Sequence, residues 1–254
     1  MGKNEDKSVM RADRMLSEMG CGSRSDIKKA IKAGLVKTVS EDGAELKLSD
    51  PSLKLLKDTV FIFGEKRIVY EKYQYFLLNK PEGLICDRMG GRQDTVFGLF
   101  EEAGIRTDLS VCGRLDKDTS GILILTNDGE MLHKLISPSS ETEKEYEAEL
   151  YGELDEGARQ AMTEKFKHGF DVPDSEKGND SFLSRPALLS FTGSYPLKAR
   201  VILTEGRYHQ VRRMFAACGH EVIKLKRIRE GALTLPEDLL PGAYIRLDPR
   251  DIHT

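Results

Sequence analysis

Tryptophan is absent from the 254 residues, and cysteine is scarce: Cys21, Cys86, Cys112 and Cys218 lie far apart, with no C-x-x-C pair. That scatter argues against a zinc site or a disulfide framework and makes free thiols in a reducing cytoplasm the expectation. No apolar run approaches the roughly 20 residues of a membrane span. The opening Met1-Gly2-Lys3-Asn4-Glu5-Asp6-Lys7 lacks the apolar core of a signal peptide, so residues 1–9 are expected to form a disordered leader, with no membrane partner. Net charge is small as well, because 39 Lys and Arg against 42 Asp and Glu leave −3. The sum hides an uneven distribution. Residues 1–72 carry fifteen basic against twelve acidic side chains, whereas residues 141–180 are acidic. A nucleic-acid partner requires a local basic surface rather than a basic total, so the small sum does not exclude one.

What is present begins with helical periodicity. Ala12, Met15, Leu16 and Met19 recur at i, i+3, i+4, i+7 and predict a helix that Gly20-Cys21-Gly22 ends. Ser23 followed by Asp26 reads as an N-cap, a short-armed capping box, opening a second helix with Ile27, Ala30 and Ile31 inward and Gly34 as its stop. Its other side presents Arg24, Lys28, Lys29 and Lys32, either a solvated face or one that meets an anionic partner. Strand-like residues 35–39, a turn at Glu41-Asp42-Gly43 and alternating residues 58–69 complete a small module, with a linker near Tyr70-Glu71-Lys72.

Beyond it, residues 73–78 read as a strand and Asn79-Lys80-Pro81-Glu82-Gly83 as a turn, in which Lys80 is either a phosphate contact or a plain loop lysine. Residues 88–94, with Gly90 and Gly91, are expected to be mobile. The stretch Gly113-Arg114-Leu115-Asp116-Lys117-Asp118-Thr119-Ser120-Gly121 feeds the apolar run Ile122-Leu123-Ile124-Leu125, so Asp116 should sit at a rigid sheet edge. A carboxylate ionised beside a guanidinium such as Arg114 is a usable nucleophile or base, while the plainer alternative is a turn closed by Asp118 and Thr119. Period-two alternation over residues 141–150 puts four glutamates on one strand face and Tyr146 on the other, against the core or a site, with Lys144 near the rim. Residues 171–185 read as a loop with no packing pattern. In Glu205-Gly206-Arg207-Tyr208-His209-Gln210-Val211-Arg212-Arg213-Met214, Val211, Met214, Phe215 and Cys218 have helical spacing. Arg207, Arg212 and Arg213 then crowd a helix start, against the dipole, which suggests an anionic partner: a substrate phosphate or a carboxylate such as Asp116. His209 reads as a hydrogen-bonded structural histidine, with a catalytic role as the alternative.

Two resemblances follow from these residues. Arg11-Ala12-Asp13-Arg14-Met15-Leu16, Gly22-Ser23-Arg24-Ser25 and Ile31-Lys32-Ala33-Gly34-Leu35-Val36 resemble the S4 RNA-binding domain, which implies that Arg24, Lys28, Lys29 and Lys32 face RNA. Asn79-Lys80-Pro81, the Gly113 to Gly121 stretch, Lys144-Glu145-Tyr146 and the Glu205 to Met214 stretch, in that order, resemble the RsuA group of pseudouridine synthases. The resemblance implies an α+β chain: a leader over 1–9, an S4 domain over 10–67, a linker over 68–72, and over 73–254 a catalytic domain built on a mixed, mainly antiparallel sheet flanked by helices and loops. It implies that Asp116 acts at the ribose of a flipped-out uridine, attacking C1′ or removing a sugar proton. Tyr146 would lie against the uracil, Arg212 would pair with Asp116, and Arg114 would fill the gap in the RNA. Lys80, Arg207 and Arg213 would contact phosphate or sugar. The implied partner is 16S ribosomal RNA, at uridine 516, or a small-subunit assembly intermediate. No metal or small-molecule cofactor is expected, and the chain should act as a monomer in the cytoplasm. Alternatives are a synthase for 23S RNA and a non-catalytic RNA-binding protein on the same fold.

Overall fold

The structure, a computed structural model, describes residues 9–88, 94–102, 105, 108–137, 141–174 and 180–252. Residues 1–8 of the expected leader and 89–93 of the expected mobile loop lie outside the described residues, and Val9 already belongs to a strand. Two compact units emerge, Met1–Gln74 with Phe97–Leu109, and Tyr75–Val96 with Ser110–Thr254.

In the first unit, β1 (Val9–Arg11) leads into α1 (Ala12–Glu18) and α2 (Arg24–Lys32). Ser23 caps α2 as its side chain predicts: Oγ accepts from the Asp26 amide at 3.2 Å and donates to the Asp26 carboxylate at 2.5 Å. Gly34, at φ 75°, lets the chain leave α2 in the left-handed region. The strands β2 (Val36–Val39), β3 (Glu45–Lys47), β5 (Val60–Phe63) and β6 (Lys66–Val69) form an antiparallel sheet in the order β3-β2-β5-β6, while β4 (Lys54–Leu56) pairs with β1. Ala12, Met15, Leu16, Ile27, Ile31, Val36 and Phe61 make the core of this unit, the helical stripe read from the spacing packed on the sheet.

The second unit is built on a nine-stranded sheet. Its elements are β7 (Tyr75–Lys80), β8 (Ser110–Cys112), β9 (Thr119–Thr126), α4 (Gly129–Ile136), β10 (Lys144–Leu150) and α5 (Glu156–His168), with the short helix α3 (Val96–Glu102) falling across the division between the units. Then come β11 (Asp171–Val172), β12 (Phe182–Leu183), β13 (Leu188–Ser194), β14 (Leu197–Leu203), α6 (Gln210–Ala216), β15 (Val222–Glu230), β16 (Leu233–Thr234) and β17 (Tyr244–Arg246). The order is β13-β14-β10-β15-β9-β7-β17, with β16 also paired to β15 and β8 to β9, all antiparallel except β15 beside β9. The glutamate alternation of β10 is explained by its neighbours: Arg200 of β14 meets Glu147, and Arg229 of β15 meets Glu143 and Glu145, so the acidic face is a cross-strand ladder of ion pairs. Residues 171–185, expected to lack a packing pattern, contain the β11–β12 pair and bury Val172 and Phe182 in the main core with Phe166, Phe215 and Met214.

Candidate active site

Asp116 lies in the connection between β8 and β9, and a lysine holds that connection in shape. Lys80 ends β7 fully buried, and its Nζ donates to the backbone oxygens of Thr119 at 2.8 Å and of Asp116 and Pro81 at 3.0 Å. Burial lowers the ammonium pKa, with Asp116 among the groups that raise it back. Lys80 is therefore unavailable to a phosphate, which corrects that expectation: its charge is spent on satisfying carbonyls that a tight loop cannot pair among themselves. The Asp116 side chain stays about one-third exposed, with Oδ1 3.5 Å from His209 Nε2. His209 precedes α6 at φ 48°, a left-handed conformation uncommon outside glycine, and its ring stacks on Tyr208 at 3.9 Å. The structure thus brings to Asp116 a histidine for which the residue pattern favoured a structural role over a catalytic one.

The arginines are distributed differently from the expectation. Arg212 does not pair with Asp116. Its Nη2 lies 3.1 Å from the Asp118 carboxylate and donates to the Asp118 carbonyl, while Nη1 donates to the Val222 carbonyl. Position within α6 turns the side chain toward β15 and the end of the Asp116 loop, so it braces the loop from outside. Arg213 is likewise committed, donating to the carbonyls of Pro173 and Asp180, which corrects its reading as a phosphate contact. Arg207 and Arg213 approach the Phe182 ring at 4.9 and 4.7 Å. Arg207 is half-exposed and, like the exposed Arg114, lines the cleft beside Asp116.

That cleft has a volume of 420 Å³, within the usual range of about 300–1,000 Å³ for small-molecule sites. Asp116, Arg114, Tyr146 and His209 line it together, over an apolar floor that includes Leu115, Leu203, Val211 and Leu225. Tyr146 sits on β10 directly opposite Arg227 of β15. Burial raises its phenol pKa, with the neighbouring Arg227 charge pulling it back down. Lys144, also lining the cleft, donates to the Thr142 carbonyl and has its pKa lowered by burial.

Arg227 and Glu230 are the residues the sequence reasoning missed. Both are buried, 3.1 Å apart as an ion pair, with Arg227 Nε donating to the Ile122 carbonyl at 2.9 Å. The facing atoms Arg227 Nη2 and Glu230 Oε2 sit at ion-pair distance without hydrogen-bond geometry, and neither has a hydrogen-bond partner among the described residues. Burial pushes the Glu230 carboxyl up, against Arg227 and Lys144; burial alone would lower Arg227, but Glu230 and Tyr146 hold it above its ordinary value. Among the described residues, no group of three His, Cys, Asp or Glu is placed to hold a metal.

The family described as "RNA pseudouridylate synthase" matches residues 74–217. The chain is 34% identical over 250 residues to "Uncharacterized RNA pseudouridine synthase YtzG" of Bacillus subtilis, covering 96% of this chain and 97% of that one. It is 35% identical to "Ribosomal small subunit pseudouridine synthase A" of Yersinia pestis, covering 96% and 97%, and 33% identical to the protein of that name in Escherichia coli, covering 96% and 98%. A solved structure described as a pseudouridylate synthase superposes with a TM-score of 0.59 at 30% identity, covering 96% of this chain and 98% of that one.

Proposed function

The chain belongs to the RNA pseudouridylate synthase family and is a pseudouridine synthase, and from that premise we propose that its substrate is a uridine of small-subunit ribosomal RNA, uridine 516 of 16S RNA being the expected position. What supports the substrate is the name shared by full-length relatives at 33–35% identity. What supports the chemistry is that Asp116 and Tyr146, distant in sequence, line one cleft.

The reaction breaks the N1–C1′ bond, turns the uracil, and joins C5 to C1′, with the proton lost from C5 balanced by one gained at N1. No net oxidation occurs. In our reading, Asp116 acts at the ribose, either as nucleophile at C1′ or as base toward a sugar proton. The Lys80 clamp fixes its loop, so the carboxylate's aim depends on backbone geometry rather than on a mobile tip. Tyr146 lies against the detached ring, and the apolar floor keeps that ring from water. Extruding a stacked nucleotide costs a few kcal/mol, and the flat guanidinium of exposed Arg114 at the mouth of the cleft is suited to stack in the space it leaves. The first unit, read as an S4 domain, adds backbone contacts through Arg24, Lys28, Lys29 and Lys32, all exposed on α2.

The test is tritium release from RNA labelled at uridine C5. Asp116→Asn should abolish turnover while RNA binding persists; residual turnover above a few per cent of wild type sinks the assignment. Mapping pseudouridine in ribosomal RNA of cells with and without the gene identifies the position, and loss at a large-subunit site would overturn the small-subunit reading.

A further inference from the structure

In a regular strand, residues three apart face opposite sides of the sheet. Arg227 and Glu230 nevertheless face the same side, and both reach the cleft. The cause is a bulge: Glu145 pairs with Arg229 but the next residue, Tyr146, pairs with Arg227, so Ile228 is an extra residue on β15. Bulges re-aim side chains and are frequent beside active sites. This one turns Arg227 inward opposite Tyr146 and returns Glu230 to the same face to neutralise it.

The Asp116 stretch is shaped around the same pair. Gly121 lies so close to the Arg227 backbone, across the parallel β9–β15 contact, that a Cβ there would overlap the Arg227 carbonyl. A Cβ on Gly113 would come within 3.3 Å of Glu230 Oε1 and 3.7 Å of Arg227 Nη1. Both glycines bounding the Asp116 loop are thus also the surfaces that admit Arg227 and Glu230. Arg227 is then held by the Ile122 carbonyl at Nε and by Glu230 at Nη2, and it stands directly across the strand pair from Tyr146.

We infer that Arg227, held by Glu230, is a positioning residue that fixes the Tyr146 ring over the reacting base, so that the tyrosine keeps one orientation while the uracil turns. This rests on the reading of Tyr146 as the residue against the uracil. The pair touches no reacting atom; it acts through the phenol end of the partly buried Tyr146, which faces Arg227 across the strand pair. Fold and orientation are separable here, because replacing both members of a buried ion pair with apolar groups of similar volume is often tolerated, whereas removing one is not.

The experiment measures kcat, KM and Tm for wild type, Arg227→Met/Glu230→Leu, Tyr146→Phe and the triple variant, with Asp116→Asn as the reference for chemistry. The double variant is expected to keep Tm within a few degrees and KM within about threefold, while kcat falls at least about tenfold, and Tyr146→Phe should cost nothing further in that background. A double variant with wild-type kcat, or one in which Tyr146→Phe causes its full separate loss, overturns the inference alone. If the double variant does not fold, Arg227→Lys carries the same test, since it keeps the charge beside Glu230 but not the flat fork. Its loss of kcat should vanish in the Tyr146→Phe background, and an equal loss in both backgrounds overturns the inference. Turnover that is absent in wild type, or unaffected by Asp116→Asn, overturns the active-site assignment and this inference with it.

Discussion

Asp13 in the first unit and Glu230 in the second are both carboxylates sealed from solvent, yet their partners are opposites. The Asp13 carboxylate receives Arg11 at 3.0 Å, Arg24 at 3.3 Å and Lys28 at 3.9 Å, cations that are 40–51% exposed. Glu230 has Arg227, which is 1% exposed. A buried acid ringed by wet cations anchors a basic surface whose outer sides remain available to another anion, whereas a sealed pair presents nothing outward and can only orient what it touches. The difference separates a surface suited to RNA phosphates from a scaffold suited to holding one ring.

The comparison breaks most visibly at Glu230. Glu230→Ala leaves the Arg227 guanidinium buried without its counter-charge, and the expected loss is about 3–5 kcal/mol, read as a fall in the denaturation midpoint at constant slope. A change below about 1 kcal/mol would mean that water reaches Arg227 and that the pair is not sealed. Asp13→Asn should cost less, about 1–2 kcal/mol at neutral pH, because its half-exposed cations can turn to water. Acid sharpens this. Burial raises the Asp13 pKa, but the hydrogen bonds and charges of Arg11 and Arg24 outweigh it and leave the group below 3.8. A carboxyl with a depressed folded pKa stabilises the fold above the unfolded value and loses that contribution as pH falls through the folded one. The gap between wild type and Asp13→Asn should therefore be full above about pH 5 and close below 3.8. A gap that persists at low pH would assign the cost to packing rather than to charge.

The two regions also differ in how far a sequence reader can see into them. Helix spacing, the Ser23–Asp26 cap and Gly34 are local signals, and the first unit follows them closely. In the second unit, the alternation of β10 set the face of Tyr146 correctly, and the glycines around Asp116 marked a tight loop. Neither Arg227 nor Glu230 was legible, because an odd spacing on a strand becomes one face only through a bulge, and a bulge is set by the partner strand. Lys80 was ambiguous for a similar reason: four neighbouring carbonyls, brought together by the loop, decide that it is buried. Arg212 was expected at Asp116 and binds Asp118 instead, two carboxylates that residue type alone does not tell apart. Gly113 and Gly121 held the one available clue, since glycines at both ends of a rigid loop imply that something bulky approaches each.

The smallest effect on stability should accompany a clear effect on RNA. Changing Lys28, Lys29 and Lys32 together to Gln alters exposed positions on α2, so stability should move by no more than about 0.5 kcal/mol per site. Each lysine that meets a phosphate releases counterions on binding, so the slope of log affinity against log salt should flatten by roughly 0.7–0.9 for every phosphate no longer neutralised. Lys28 leans toward Asp13 at 3.9 Å while Lys29 and Lys32 have no such ion pair among the described residues. The last two should therefore account for most of the change when the sites are altered singly, and Lys28→Gln should show a smaller slope change with a slightly larger shift in stability. An unchanged slope in the triple variant would remove α2 from the RNA interface and leave Arg24 and its neighbours as a charge shell serving Asp13 alone.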